Sequence, residues 1–186
     1  MIIEGLAVIF TLVCVWLAAK RHVLSWPIGM IAAVFYAIVF YDTNLYADFA
    51  LQFVFFIQGI IGWMFWKRNL EKESQLIKIE SMNLFETFKW FFISIIGVNI
   101  VFLILINYTN ASAPLLDSIV AVNSLIANWL LAKRKLQNWI LWIIIDVIYI
   151  GLFIYKGLYL SAGLYLILGV MAYLGLKNWL KIVNNY

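Results

Sequence analysis

Charge is what this sequence has least of. Only 12% of its 186 residues are Asp, Glu, Lys or Arg, while 66% are hydrophobic. Soluble domains run nearer a quarter charged and half apolar. A mean hydropathy of +0.99 cannot be hidden in one soluble core of this size, because too much apolar surface would face water. Cysteine is nearly absent: Cys14 stands alone inside an apolar run, which excludes a disulfide scaffold. The sole histidine, His22, falls between apolar runs, and no metal cluster, nucleophile elbow or glycine-rich phosphate loop is present. Those absences argue against a membrane-embedded enzyme and against ATP-driven transport within this chain. Long continuous apolar runs, rather than alternating segments of about ten, argue against a β-barrel.

Seven apolar stretches are present, each close to the roughly 20 residues that cross a bilayer as a helix. They run from about Ile3 to Ala19, Trp26 to Tyr41, Leu45 to Trp66, Thr87 to Ile106, Leu115 to Ala132, Trp139 to Tyr155 and Tyr159 to Trp179. The first is not a signal peptide by pattern, because its basic residues follow the apolar run rather than precede it. The expectation is an all-α integral membrane protein of seven transmembrane helices. Between the third and fourth spans lies the one clearly soluble segment, with Glu71, Lys72, Glu73, Lys78 and Glu80.

With the N-terminus outside, twelve of the thirteen lysines and arginines fall in inner segments, and only Lys156 falls outside. That asymmetry predicts an extracytoplasmic N-terminus and a cytoplasmic C-terminus. The net charge of +4 therefore reports membrane topology, and no nucleic-acid partner is expected.

Sliding the sequence against itself gives a gapless match at an offset of 113 residues. Trp16-Leu17 meets Trp129-Leu130, and Ala19-Lys20-Arg21 meets Ala132-Lys133-Arg134. Trp26 meets Trp139, Tyr36 meets Tyr149, Gly62 meets Gly175 and Trp66 meets Trp179. Tryptophan and tyrosine coincidences beside a shared Ala-Lys-Arg loop are not a by-product of apolar composition. The expected organisation is a first three-helix repeat over 1–66, a cytoplasmic linker over 67–86, a linking helix and outer turn over 87–114, and a second repeat over 115–186. Two parallel copies of three spans need one extra crossing between them, which gives a three-plus-one-plus-three plan. Parallel-repeat transporters share it, with the solute site between the halves.

Polar groups at membrane depth are expensive and mark function or a partner. In the third span these are Asp48, Gln52 and Gln58, with Phe55 and Phe56 on neighbouring positions. In the fifth they are Asn123, Ser124 and Asn128. In the sixth, Asn138, Trp142, Asp146 and Tyr149 fall at spacings of four, four and three, one helical face. Bland roles compete: Asp48 as a helix N-terminal dipole partner, the asparagines as interhelical glue, and Trp26, Trp66, Trp139 and Trp179 as interfacial belt residues. Asp146, about two turns into its span, is hardest to explain without a cavity. A carboxylate beside Trp142 and Tyr149 suits a cationic planar ring. The candidate substrate-binding set is Gln52, Phe56, Gln58, Asn123, Asn128, Asn138, Trp139, Trp142, Asp146 and Tyr149.

Gln137-Asn138-Trp139-Ile140-Leu141-Trp142, with Asp146 four on, resembles the Asn-Trp-x-x-Trp segment of PnuC-type vitamin transporters. Leu45-Tyr46-Ala47 through Gln52, then Gly62-Trp63 and Trp66, is similar to that family's third repeat helix. The resemblance implies a SWEET-like bundle in a bacterial-type cytoplasmic (inner) membrane, often a homotrimer. It further implies uptake of a vitamin by facilitated diffusion, with an intracellular kinase trapping the substrate, and no cofactor. Nicotinamide riboside is the first candidate, thiamine the alternative, and riboflavin less favoured because it lacks the cationic ring that Asp146 would suit. Asp146 stands where the enterobacterial nicotinamide riboside pattern has Asn, and Gly59 where it has Asn. Other classes fit less well: no lysine lies deep in the seventh span to carry a retinal, and charge rings for a channel are lacking.

Overall fold

The computed structural model describes residues 2–42, 46–72, 79–109, 113–155 and 159–184. It has seven helices: α1 (Ile2–Ala19), α2 (Ser25–Asp42), α3 (Tyr46–Lys72), α4 (Leu84–Tyr108), α5 (Pro114–Ala132), α6 (Asn138–Tyr155) and α7 (Tyr159–Val183). All seven are long and apolar enough to cross a membrane. The turn at Thr43-Asn44, the middle of the soluble segment (73–78) and Lys156 lie outside the described residues. Helices α3 and α4 reach into the stretch expected as the linker, α3 to Lys72 and α4 from Leu84, and α7 runs past Trp179 to Val183.

Local chemistry sets the helix ends. Asn83 caps α4: its side chain accepts from the Glu86 backbone N–H at 2.8 Å, while the Glu86 carboxylate accepts from the Asn83 N–H at 3.1 Å, a reciprocal capping box. Pro114 opens α5, where a missing N–H costs nothing. At the end of α1, Arg21 takes φ 60°, its N–H bonds Ala18 O at 2.9 Å, and the His22 N–H bonds Leu17 O at 2.9 Å. At the end of α5, Arg134 takes φ 59°, its N–H bonds Leu131 O at 2.9 Å, and the Lys135 N–H bonds Leu130 O at 2.9 Å. Both are Schellman closures with arginine at the left-handed position usually held by glycine.

Neighbouring helices follow one another around a closed ring, α1–α2–α3–α5–α6–α7 and back to α1, with α4 outside it against α5. Helix α4 has no fully buried residue. Its apolar surface is what lipid tails solvate, since hydrocarbon removes the cost that water would impose. Ser94 of α4 donates to Asn123 of α5 at 3.0 Å, fixing the contact.

The main core lies at one end of the ring, where the loops carry Lys20, Arg21 and Lys133 to Lys135. Trp26, Trp66, Trp139 and Trp179 are buried there with Ala18, Ala132 and Ala172. The interfacial-belt role considered for these four tryptophans is thus not what the structure shows: each is at most 4% exposed. Trp26 meets Trp66 edge-on at 5.5 Å and 87°, and Trp139 meets Trp179 edge-on at 5.6 Å and 88°. Glycine makes both contacts possible. A Cβ on Gly62 would fall 2.5 Å from the Trp26 ring, and one on Gly175 would fall 2.8 Å from the Trp139 ring.

A strap from the soluble segment covers this end. Ile79 inserts among the tryptophans, the Glu80 N–H bonds Arg134 O at 3.1 Å, and the Leu136 N–H bonds Glu80 O at 2.9 Å. Lys135 pairs with Glu80 at 3.1 Å and Glu86 at 3.0 Å. Burial alone would depress its ammonium, but the two carboxylates outweigh burial and hold it above the ordinary lysine value. At the opposite end of the ring, Glu4, Asp48 and Asp117 occupy the first turns of α1, α3 and α5. One end of the ring is thus basic and the other acidic.

Candidate functional site

Between these ends, polar side chains join the two groups of three helices. Asn128 on α5 donates to Gln58 Oε1 on α3 at 2.9 Å, and Gln58 Nε2 donates to Leu125 O at 3.1 Å. In hydrocarbon an interhelical amide pair is worth about 0.6–2 kcal/mol. Two of the expected residues therefore meet directly. Gln52, one and a half turns before Gln58, is half-buried and makes no hydrogen bond among the described residues.

Helix α6 spreads its polar face along the depth of the bundle. Asn138 and Trp139 lie in the tryptophan-rich core at the basic end, where Asn138 Nδ2 donates to Lys135 O at 2.7 Å. Trp142 bridges that core to a second cluster around Val120, Ala127 and Ile145. Further along, Tyr149 lies 4.3 Å from Tyr165 ring to ring and shares a hydrogen bond with it, and Phe153 stacks on both. Asp146 is 4% exposed and has no hydrogen-bond partner among the described residues. It borders an open groove of about 250 Å³ between α6 and α7, whose lining also includes Val147, Leu166, Val170 and Tyr173, each more than half exposed.

The acidic half of the ring is one electrostatic neighbourhood. Tyr165 lies within reach of Tyr149, Tyr36, Asp146 and Asp48, and Tyr149 within reach of Asp48, Asp117 and Asp146. Tyr36 bonds Thr11 and stacks near Phe40 at 5.6 Å, much as Tyr149 stacks on Phe153 at 5.7 Å. Aromatic faces edged by carboxylates favour a planar cation. Of the expected residues, Asp146 and Tyr149 belong to this neighbourhood. Asn138 and Trp139 lie at the basic end, Gln58 and Asn128 pair with each other, Asn123 turns to Ser94 on α4 and to Ile119 O, and Phe56 is 37% exposed.

Sequence reasoning missed Tyr36 and Tyr165. Tyr36 was available from its match with Tyr149 at the 113-residue offset. Tyr165 sits in a span with few polar groups and carried no signal of its own.

A ring of six helices around amide, carboxyl and aromatic groups, with charged loops at one end and acids at the other, is an arrangement that suits a membrane transporter. Comparison with known proteins agrees. The profile of the family described as "Nicotinamide mononucleotide transporter" matches residues 1–181, and the chain belongs to that family. The nicotinamide riboside transporter PnuC of Escherichia coli (strain K12) is 27% identical over 176 residues, covering 81% of this chain and 73% of that protein. The nicotinamide riboside transporter PnuC of Neisseria mucosa is 23% identical over 156 residues, covering 81% of this chain and 59% of that protein. A crystal structure of the vitamin B3 transporter PnuC matches 98% of this chain and 82% of its own, with a TM-score of 0.81 at 21% identity. That likeness establishes the fold.

Proposed function

We propose that this chain carries nicotinamide riboside across the cytoplasmic (inner) membrane by facilitated diffusion, the basic end facing the cytoplasm. There phosphorylation of the riboside would trap it. The observation that carries the reading is the family match together with the nicotinamide riboside relatives. Asp146, a buried carboxylate without a hydrogen-bond partner among the described residues and near the tilted rings of Tyr149 and Tyr165, adds a place for a cationic ring that thiamine would suit equally. A permanent pyridinium would supply the missing countercharge and lie on the rings, a contact worth about 0.5–2 kcal/mol. Family and relatives carry different names, one for the mononucleotide and one for the riboside. Charge favours the riboside: a buried phosphate needs cations, and among the described residues no lysine or arginine lies in the middle of the ring helices.

The halves, 1–66 and 115–186, act in this reading as parallel repeats in the SWEET-like three-plus-one-plus-three plan. Matching Schellman turns, tryptophan pairs and tyrosine–phenylalanine stacks at the 113-residue offset support it. Trimeric assembly belongs to the same reading.

Binding to purified protein, compared among nicotinamide riboside, thiamine and riboflavin, tests the proposal. Nicotinamide riboside should bind tightest, and Asp146→Asn should weaken it by about 5–30-fold, the equivalent of roughly 1–2 kcal/mol. Tighter thiamine binding would move the assignment to that vitamin. Unchanged affinity for both cations in folded Asp146→Asn would refute charge recognition.

A further inference from the structure

The tryptophans at the basic end carry an anomaly that packing does not account for. Six buried side-chain atoms among the described residues have no hydrogen-bond partner: Ser25 Oγ, Trp26 Nε1, Trp66 Nε1, Asn138 Oδ1, Trp139 Nε1 and Trp179 Nε1. They form three pairs at the 113-residue offset: Ser25 with Asn138, Trp26 with Trp139, Trp66 with Trp179. Buried polar groups in native proteins are nearly always satisfied, and here the packed protein groups around these six atoms supply no partner. Indoles used only as filler would be replaceable by phenylalanine or leucine, which bring no donor to leave unpaired.

Their position gives the anomaly a meaning. No Cα of α3 lies within 8 Å of any Cα of α7 among the described residues, yet Trp66 of α3 and Trp179 of α7 meet ring to ring at 6.5 Å. Two indoles fill a gap between backbones that otherwise stay apart. Trp26 and Trp139 brace them from either side, and Ile79 on the strap lies against the same cluster. Resting on the reading of the chain as a transporter, we infer that this tryptophan quartet is the gate at the basic end, closed here. It opens by separation of Trp66 from Trp179, and water or solute then reaches the six unpaired atoms.

Opening by separation explains why the orphans are arranged in two matched sets. A rigid-body movement of one half against the other exposes both sets in the same step. Aromatic rings suit the task, because pairs such as the tilted Trp66–Trp179 contact, at 6.5 Å and 43°, are favourable over a range of geometries, while the edge-on pairs Trp26–Trp66 and Trp139–Trp179 travel with their own halves.

Trp66→Cys with Trp179→Cys in a Cys14→Ser background, reconstituted in vesicles, tests the gate through a short reducible bis-thiosulfonate linker. Cross-linking should lower nicotinamide riboside uptake about tenfold or more while binding from the acidic end stays within about twofold, and reductant should restore uptake. Uptake at the uncross-linked rate with the linker in place would overturn the proposal. A second measurement needs neither these cysteines nor a correct choice of vitamin. In the full chain labelled with 5-fluorotryptophan, the four resonances of the quartet, assigned among the nine tryptophans by single Trp→Phe substitutions, should show concerted microsecond–millisecond exchange and a solvent isotope shift in the minor state. Four static, solvent-protected resonances would likewise overturn it. A protein that exchanges in this way but neither binds nor carries nicotinamide riboside retains the gate and refutes the vitamin.

Discussion

Alanine at Gly62 isolates how tightly the tryptophans are held. A Cβ there meets three Trp26 ring carbons at 2.5–2.6 Å, and Trp26 cannot swing aside because its other flank lies against Trp66 at 5.5 Å. Overpacking a fixed core costs about 1–3 kcal/mol, whereas replacing glycine by alanine within a helix returns about 1 kcal/mol. Gly163 gives the reference, since nothing lies within 4 Å of its added Cβ; Gly163→Ala should leave stability unchanged or raise it by up to about 1 kcal/mol. Gly62→Ala should therefore be less stable than Gly163→Ala by about 1–3 kcal/mol. Gly59→Ala separates rigidity from distance: its Cβ also falls at 2.5 Å, but from Met30 Cγ on a flexible side chain, so its penalty should be smaller. Unfolding in mixed micelles, followed by circular dichroism, measures all three. Equal stabilities for Gly62→Ala and Gly163→Ala would refute the account of a fixed tryptophan ring.

Arg134→Gly should stabilise the α5 turn by roughly 1 kcal/mol, since φ 59° strains any residue with a Cβ; an unchanged unfolding midpoint would show that the turn is not strained. Asn83→Ala removes a capping box and should cost about 1 kcal/mol, visible as earlier amide exchange in the first turn of α4. Lys135 is held above the ordinary lysine value, so its stabilising contribution is complete below pH about 10.4 and declines as pH rises through the folded value. Lys135→Met should flatten that alkaline loss, an effect of about 1 kcal/mol or less because Glu80 is half exposed; identical pH profiles for the two proteins would remove the ion pairs from the account. Uptake into protein-containing vesicles should stop at equal concentrations on both sides, and accumulation against a gradient under an imposed proton or sodium potential would exclude facilitated diffusion.

The helices were legible because hydrocarbon imposes a single rule along every span, and a run such as Ile140 to Ile145 has few other uses. Boundaries were less so: α3 continues to Lys72 because a helix can leave the membrane without changing its hydrogen bonding, and polarity alone does not stop it. The site was legible where a polar residue breaks an apolar run, as at Asp146, Gln58 and Asn128. It was illegible where the partner decides the role. Asn123 and Asn128 are the same residue type on one helix, and only the position of α4 sends Asn123 to Ser94. The tryptophans were ambiguous for another reason. Residues near helix ends suit both a lipid headgroup layer and a closed core, and sequence does not show how far neighbouring helices lean together. Gly62 and Gly175, each the same distance before a paired tryptophan, were the overlooked sign of close packing.

Helix α4 joins the ring at α5 alone, yet it decides how the other six are arranged. A half that ends at the basic side cannot be followed directly by another that begins at the acidic side; the chain must first cross back. Without that crossing, α5 to α7 could follow α3 only in the opposite sense, with Lys133 to Lys135 on the side away from Lys20 and Arg21, against the charge rule that orients the chain. Trp179 would then sit at the level of Asp48, far from Trp66, and Asn128 would no longer be level with Gln58. The helix that contributes least to the interior is the one whose parity holds the two halves in register.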